Sequence, residues 1–195
     1  MSKKINSAGP SITSKEIALV NEAIKKGWHD KMNYYIENFV EEFSDYVGVK
    51  FCLPTSHCTD AIHLALRVLD IGSGDEVIVP DFTWIASASP ITFVGATPVF
   101  CDVDQNTFCL TANHIKSCIT KKTKAIIGVD LLGNIPQWDE IIQLCKKNNI
   151  HIIEDAAEDL GAKYKKKSAG NFGAISLFSF NATKLIMSGQ GGAFC

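Results

Sequence analysis

Between residues 51 and 154, short apolar runs alternate with segments of helical periodicity, and this alternation constrains the fold more than any other feature of the chain. The runs are apolar throughout, which is typical of parallel strands buried on both faces. Strands joined by crossover helices form an α/β fold. We therefore predict an α/β protein with a mainly parallel sheet and helices on both faces. The predicted strands are residues 51–53, 76–79, 98–101, 125–129 and 150–154, and the predicted helices are residues 59–69, 85–94, 112–119 and 138–148.

Two amphipathic helices are predicted before the sheet. The first begins at a capping box formed by Thr13 and Glu16 and ends near Gly27. The second ends at Gly48 and carries an apolar face made of Ile36, Phe39, Val40, Phe43 and Val47. After residue 155 the pattern predicts a loop, then an apolar run over 174–180, and the start of another strand at residue 192.

Several classes of protein are disfavoured by composition. No apolar run reaches the roughly 18–20 residues of a membrane span, and the first ten residues lack the apolar stretch of a signal peptide, so we expect a cytoplasmic protein. The seven cysteines contain no C-x-x-C pair, and most of them are predicted to be small core residues rather than metal ligands or a disulfide framework. The lysines are spread along the chain, which argues against nucleic-acid binding.

Three groups of residues at predicted strand ends can carry chemistry. Asp155 follows an apolar strand, where a ligand-binding carboxylate and a structural strand-end acid are equally expected. Lys184 follows another apolar run and, by itself, fits a snorkelling surface lysine as well as a catalytic one. Residues 55–61 lie between a strand and a helix, where free N–H groups bind phosphate, although Thr59 also fits a simple N-cap. Together they match the needs of a pyridoxal phosphate (PLP) enzyme: a lysine, a carboxylate and a phosphate cradle.

Five stretches, in order along nearly the whole chain, strengthen this interpretation. They are GDEVIVPDFTWIASA (74–88), GATPVFCDVD (95–104), KTKAIIGVDLLGN (122–134), IIEDAAEDLGAKY (152–164) and FGAISLFSFNATKLIMSGQGGA (172–193). They resemble the PLP-dependent aminotransferases of the DegT/DnrJ/EryC1/StrS type, which act on keto sugars linked to nucleotides. The resemblance implies the large domain of a fold-type I PLP-dependent enzyme that moves an amino group, from glutamate, to such a sugar.

The same resemblance implies catalytic roles for two residues. Lys184 would carry the cofactor and move protons between cofactor and sugar. Asp155 would pair with the pyridinium nitrogen and keep it protonated.

It also implies a set of cofactor contacts. Trp84 would lie against the ring face, Glu158 would lie near the phenolic oxygen, and Ser179 would hold the phosphate together with Cys58 and Thr59. Without the motif, Trp84 would be read as a core aromatic residue and Glu158 as an exposed loop acid.

Some positions depart from the family pattern. Gln190 stands where many relatives have glutamate, Asp130 where many have histidine, and Met32 and Asn33 where a serine-glycine pair is common. These departures weaken the transfer of substrate specificity and of contacts across a dimer. Because relatives are about twice as long, residues 1–195 are expected to be the PLP-binding large domain, truncated before a small C-terminal domain, and a complete protein is expected to be a homodimer. The alternative is a non-catalytic remnant or one half of a split aminotransferase.

Overall fold

The computed structural model describes residues 9–195 of the chain. Six α-helices are present in this part: α1 (Ser14–Lys26), α2 (Tyr34–Val47), α3 (Cys58–Val68), α4 (Ser89–Phe93), α5 (Ala112–Cys118) and α6 (Trp138–Asn148). The strands are β1 (Leu53–Thr55), β2 (Glu76–Pro80), β3 (Thr97–Cys101), β4 (Thr123–Val129), β5 (His151–Asp155), β6 (Lys163–Tyr164), β7 (Lys167–Ser168), β8 (Ile175–Ser179) and β9 (Gly192–Phe194).

Seven strands form one mixed sheet in the order β1-β9-β8-β5-β4-β2-β3. The pairs from β3 through β2, β4 and β5 to β8 are parallel, and only β9 and β1 are antiparallel to their neighbours. The predicted α/β class and mainly parallel sheet are therefore confirmed. Because the central strands run in parallel, β4, β5 and β8 bring their carboxyl ends to one edge of the sheet, where ligands bind in such folds.

Apolar residues of the central strands contribute to two cores on opposite faces. On β2, Val77 and Val79 belong to a cluster that also contains α3 residues such as Ile62. Ile78 lies in a second cluster with Trp138 of α6. Since neighbouring residues of a strand point to opposite faces, an apolar run of this kind needs helices on both sides of the sheet.

The two helices predicted before the sheet are confirmed. Glu16 accepts a hydrogen bond from the Thr13 backbone N–H, 2.6 Å away, as a capping box requires. Gly48 ends α2 in the left-handed conformation with φ of 83°. Helix α1 buries none of its residues in the described part of the chain, whereas α2 packs Phe43 and Val47 against the end of the sheet.

Some predicted elements were wrong in detail. The strand expected at 51–53 lies at Leu53–Thr55 on the edge of the sheet and is antiparallel, and Pro54 within it has no N–H to donate to a central ladder. The helix expected at 85–94 is a short 3₁₀ turn, Ile85–Ser87, followed by α4, because Pro90 favours the first turn of a new helix. The segment expected as a loop after residue 155 contains the hairpin β6–β7.

Four of the seven cysteines are buried, as the prediction of small core residues requires: Cys58, Cys101, Cys109 and Cys145. Across residues 9–195, no helix combines the length and the apolar character that crossing a membrane would need.

Candidate active site

A cavity of about 740 Å³ opens at the carboxyl ends of β4, β5 and β8, beside the start of α3. All seven residues predicted to catalyse or to bind cofactor line it: Cys58, Thr59, Trp84, Asp155, Glu158, Ser179 and Lys184. They come from four separate parts of the chain, between residues 58 and 184. The parallel topology brings these four parts together because each part lies at the end of a different strand or begins the helix that follows one.

Asp155 is the last residue of β5 and is buried, with only 3% of its surface exposed. Its Oδ2 accepts a hydrogen bond from the Ser87 hydroxyl at 2.7 Å, and its Oδ1 accepts one from the Ala157 backbone N–H at 3.1 Å. Burial raises the pKa of Asp155, while the hydrogen bond from Ser87, that from Ala157 and the charge of Lys184 act in the opposite direction. The site thus holds a buried carboxyl group whose ionised form a cationic group in the cavity would stabilise.

Lys184 lies in the turn between β8 and β9, and its ammonium group forms an ion pair with Glu158. The distance between Lys184 Nζ and Glu158 Oε1 is 3.0 Å, and both side chains are mostly buried. The Asn181 side chain accepts a hydrogen bond from the Thr183 backbone N–H and so supports the turn that carries the lysine. The predicted lysine therefore lines the cavity from a hydrogen-bonded turn and does not snorkel at the surface.

The first turn of α3 supplies the predicted phosphate cradle. His57, not Thr59, is the residue that precedes the helix, so the reading of Thr59 as an N-cap is wrong. Within residues 9–195, the side chain of His57 makes no capping bond, so the first turn offers N–H groups to a ligand. A Cβ at Gly192 would lie 2.6 Å from the backbone N of Cys58, so only glycine allows β9 to pass this close to the helix.

Trp84 is not a core aromatic residue, because 74% of its surface is exposed at the mouth of the cavity. Its backbone begins the short 3₁₀ turn after β2. A flat ligand in the cavity would therefore find an aromatic face on one side and Asp155 at its buried end.

Several polar residues that line the cavity were not singled out from the sequence, and two of them, Thr83 and Ser87, contact each other. Their hydroxyl oxygens lie 3.1 Å apart. Neither shows a local signal, because Ser87 meets Asp155 across 68 positions of sequence. Only the fact that both lie in the matched TWIAS stretch could have drawn attention to them.

Two of the departures from the family pattern have a clear structural setting. Gln190 Oε1 accepts a hydrogen bond from the Asn181 side chain at 3.3 Å. Asp130 follows β4 and is fully buried within this chain, and its Oδ1 accepts a hydrogen bond from the Trp138 indole at 3.2 Å.

The environment of Asp130 favours a protonated carboxyl group. Its Oδ2 meets no donor in the described part of the chain, and its neighbour is the buried carboxyl of Glu154. Glu154 accepts hydrogen bonds from backbone N–H groups, including those of Phe172 and Gly173. Burial first, and then the charge of Glu154, raise the pKa of Asp130 well above its usual range. These two effects favour the neutral form of Asp130 in the folded protein.

We expect Asp130→Asn to stabilise the protein at pH 8 and to have little effect near pH 4. A carboxyl whose pKa is raised on folding must keep a proton that the unfolded chain releases, so wild-type stability falls as pH rises above the usual pKa of aspartate. Asparagine has nearly the same shape, can accept the hydrogen bond from Trp138, and carries no titratable proton, so it avoids that cost. The expected gain in free energy of unfolding at pH 8 is on the order of 1–3 kcal/mol. Urea unfolding at several pH values measures it, with Asp45→Asn on the exposed face of α2 as the control; a gain that is the same at pH 4 and pH 8 would contradict the protonated state.

The residues of the cavity fit the three parts of PLP. The first turn of α3 suits the phosphate, the buried carboxylate of Asp155 suits a protonated ring nitrogen, and the amine of Lys184 suits the aldehyde. Glu158 Oε2 is buried and has no hydrogen-bond partner among the described residues, so it can accept a bond from a ring hydroxyl.

Comparison with known proteins agrees with this assignment. The family model for the DegT/DnrJ/EryC1/StrS aminotransferase family matches residues 10–195. The chain is 44% identical to the GDP-perosamine synthase of Escherichia coli O157:H7 over 183 residues, which are 94% of the chain and 50% of that protein. The crystal structure of the aminotransferase from Psychrobacter cryohalolentis matches with a TM-score of 0.92 at 38% identity, over 96% of the chain and 48% of that protein. The PLP form of Spr1654 from Streptococcus pneumoniae, assigned to the sugar aminotransferases, matches with a TM-score of 0.91 at 34% identity, over 98% of the chain and 53% of that protein.

The chain spans about half the length of the curated relatives that it matches. The match nevertheless covers nearly every described element and all of the residues that line the cavity. The fold predicted from the motifs, the large domain of a PLP-dependent aminotransferase, is confirmed by the structural likeness. The chain therefore belongs to the DegT/DnrJ/EryC1/StrS aminotransferase family, whose enzymes use pyridoxal phosphate.

Proposed function

We propose that the protein transfers an amino group from glutamate to a keto sugar linked to a nucleotide, using PLP held in this cavity. The observation that carries the proposal is the presence of Lys184 and Asp155 in one cavity, with the free N–H groups of α3 at its edge. PLP supplies an electron sink for the negative charge that develops on the substrate carbon. The residues of the chain have to bind and orient the cofactor and the substrate and to move protons between them.

Lys184 would bind the cofactor and then act as the base and acid that moves protons at the substrate carbon. For this it must spend part of the cycle as a neutral amine, and its ion pair with Glu158 gives a nearby acceptor for the proton that it releases. Asp155 would hold the proton on the ring nitrogen, because an unpaired carboxylate this deeply buried is costly and gains by facing a cation.

Residues at the start of α3 and at the end of β8 would bind the phosphate. The N–H groups of Cys58 and Thr59 lie at the positive end of the helix dipole. Ser179 ends β8 and lines the same cavity, so its hydroxyl can add a further donor. Trp84 would cover one face of the ring.

A sugar fits this half of the site better than a free amino acid does. Bidentate capture of a substrate carboxylate usually relies on arginine. Arg67 is the only arginine of the sequence, and it lies exposed near the end of α3, away from the cavity. We infer that residues 1–195 form the PLP-binding large domain of a cytoplasmic homodimer, and that further parts of the complete protein contact the donor and the nucleotide.

The proposal is tested by incubating the full-length protein with PLP, glutamate and a panel of nucleotide-linked keto sugars. Mass spectrometry of the products should show an amino group in place of the keto oxygen of one sugar, with 2-oxoglutarate formed in equal amount. Omission of PLP from the cofactor-free protein should abolish both products. Binding of PLP with no amino sugar from any member of the panel would reject the proposed substrate class.

A further inference from the structure

Two hydroxyl side chains form a hydrogen-bonded series that ends at Asp155. Ser87 Oγ is 2.7 Å from Asp155 Oδ2, and Thr83 Oγ1 is 3.1 Å from Ser87 Oγ. Ser87 and Asp155 are both almost fully buried, with 2% and 3% of their surfaces exposed. Solvent therefore has little access to the bond between them.

The directions of these hydrogen bonds follow from counting hydrogens. An ionised carboxylate can only accept, so the single hydrogen of the Ser87 hydroxyl points to Asp155. Ser87 has then no hydrogen left for Thr83, and Thr83 must donate to Ser87. This order of donors, from Thr83 through Ser87 to Asp155, stabilises the ionised carboxylate, whereas a proton on Oδ2 would reverse it, with Asp155 donating to Ser87 and Ser87 to Thr83.

The other neighbours of Asp155 leave room for a ligand. Its Oδ1 accepts from the Ala157 N–H, and the Cys58 thiol lies 4.0 Å away. Burial raises the pKa of Cys58, so the thiol stays protonated and can donate. A carboxylate has about four acceptor positions, and these contacts together with Ser87 fill three. The charged groups that act on Asp155 from the cavity side are Lys184, which favours its ionised form, and Glu158, which opposes it.

We propose that Ser87, supported by Thr83, is a positioning residue that keeps Asp155 ionised and fixed in orientation toward the cavity. The catalytic role of Ser87 rests on the proposed function. The effect of Ser87 on the titration of Asp155 does not, because it can be measured in the protein without cofactor. Removal of the hydroxyl takes away the only donor to Oδ2 among the described residues. Burial, which disfavours the ionised form of Asp155, is then offset by one hydrogen bond fewer.

The test is a pH titration of Asp155 in the cofactor-free, full-length protein. Aspartate labelled with carbon-13 at the carboxyl group is followed by NMR, and the signal lost in Asp155→Asn identifies the residue. In Ser87→Ala we expect the Asp155 carboxyl to titrate at higher pH than in wild type. Ser87→Thr, which keeps the hydroxyl, should restore the wild-type titration. Ser176→Ala is the matched control, because Ser176 is equally buried and donates at 2.7 Å to the Gly170 carbonyl instead.

Turnover gives a second readout. With PLP and substrates we expect Ser87→Ala to lower kcat roughly tenfold or more with a small change in KM, and to move the acidic limb of the pH profile upward. Thr83→Val leaves Ser87 in place and should shift the titration of Asp155 in the same direction, but by less than Ser87→Ala does. This variant tests the hydrogen-bonded series if Ser87→Ala does not fold. An Asp155 titration in Ser87→Ala or Thr83→Val that matches wild type and Ser176→Ala would overturn the proposal. Failure of the wild type to use PLP would reject the proposed function and leave the titration result standing.

Discussion

Lys184→Ala is expected to lower amino transfer by at least about 10³-fold while leaving the protein folded. A positioned proton-transfer group contributes roughly 10²–10⁴ in rate, and Lys184 is proposed both to transfer protons and to bind the cofactor covalently. The cost in stability should be small, because the side chain lies in a turn and, among residues 9–195, its one ion pair is with Glu158. Initial rates and melting temperature are measured on the same samples.

Lys184→Arg is the matched variant for this experiment. Arginine keeps the positive charge beside Glu158 but remains protonated and cannot bind an aldehyde. If Lys184 takes part in the chemistry, the Lys184→Arg variant should be as inactive as the Lys184→Ala variant. If Lys184 acts only as a partner of Glu158, arginine should recover most of the activity and alanine should lose stability, and that result would remove Lys184 from the mechanism.

Asp155→Asn is expected to lower turnover by roughly 10²–10³, or about 3–4 kcal/mol of transition-state stabilisation. Asparagine keeps the shape, and its single carbonyl oxygen can accept the hydrogen bond from the Ala157 N–H while its NH2 group faces the Ser87 hydroxyl, but it lacks the charge that holds a proton on the ring nitrogen. PLP affinity should fall less than turnover, since the phosphate is held elsewhere by the start of α3. Turnover and PLP affinity are measured on the full-length protein.

Stability separates this role from a structural one. Burial of the ionised group is unfavourable, so asparagine should leave the melting temperature unchanged or slightly raise it. A structural strand-end carboxylate would behave in the opposite way, with a lower melting temperature and normal turnover per folded molecule. A stable variant with unimpaired turnover would contradict the assignment of Asp155.

Much of the fold could be predicted because the strands at its centre are buried on both faces. The runs at 76–79, 125–129 and 150–154 are apolar for a local physical reason, and each appears within a residue or two of its predicted limits. The ends of α1 and α2 were also readable, since capping by Thr13 and termination at Gly48 depend on residues in the helices' own sequence.

Features that depend on distant partners could not be predicted in the same way. The edge strand β1 is defined by its pairing with β9, about 140 residues later in the chain. The raised pKa of Asp130 comes from its burial and from Glu154 on the adjacent strand, and Asp155 meets Ser87 from a distant part of the chain. The positions of the seven site residues around one cavity agree with the expectation from the motifs, while the roles of these residues remain predictions.

The most direct test of the account is to find where PLP attaches. The full-length protein is incubated with PLP, reduced with sodium borohydride, digested and analysed by mass spectrometry. We predict one dominant phosphopyridoxyl label, on the peptide that contains Lys184, and its loss when PLP is omitted or when Lys184 is replaced by alanine. A label spread over surface lysines such as Lys165 and Lys166, with Lys184 unmodified, would contradict the central claim.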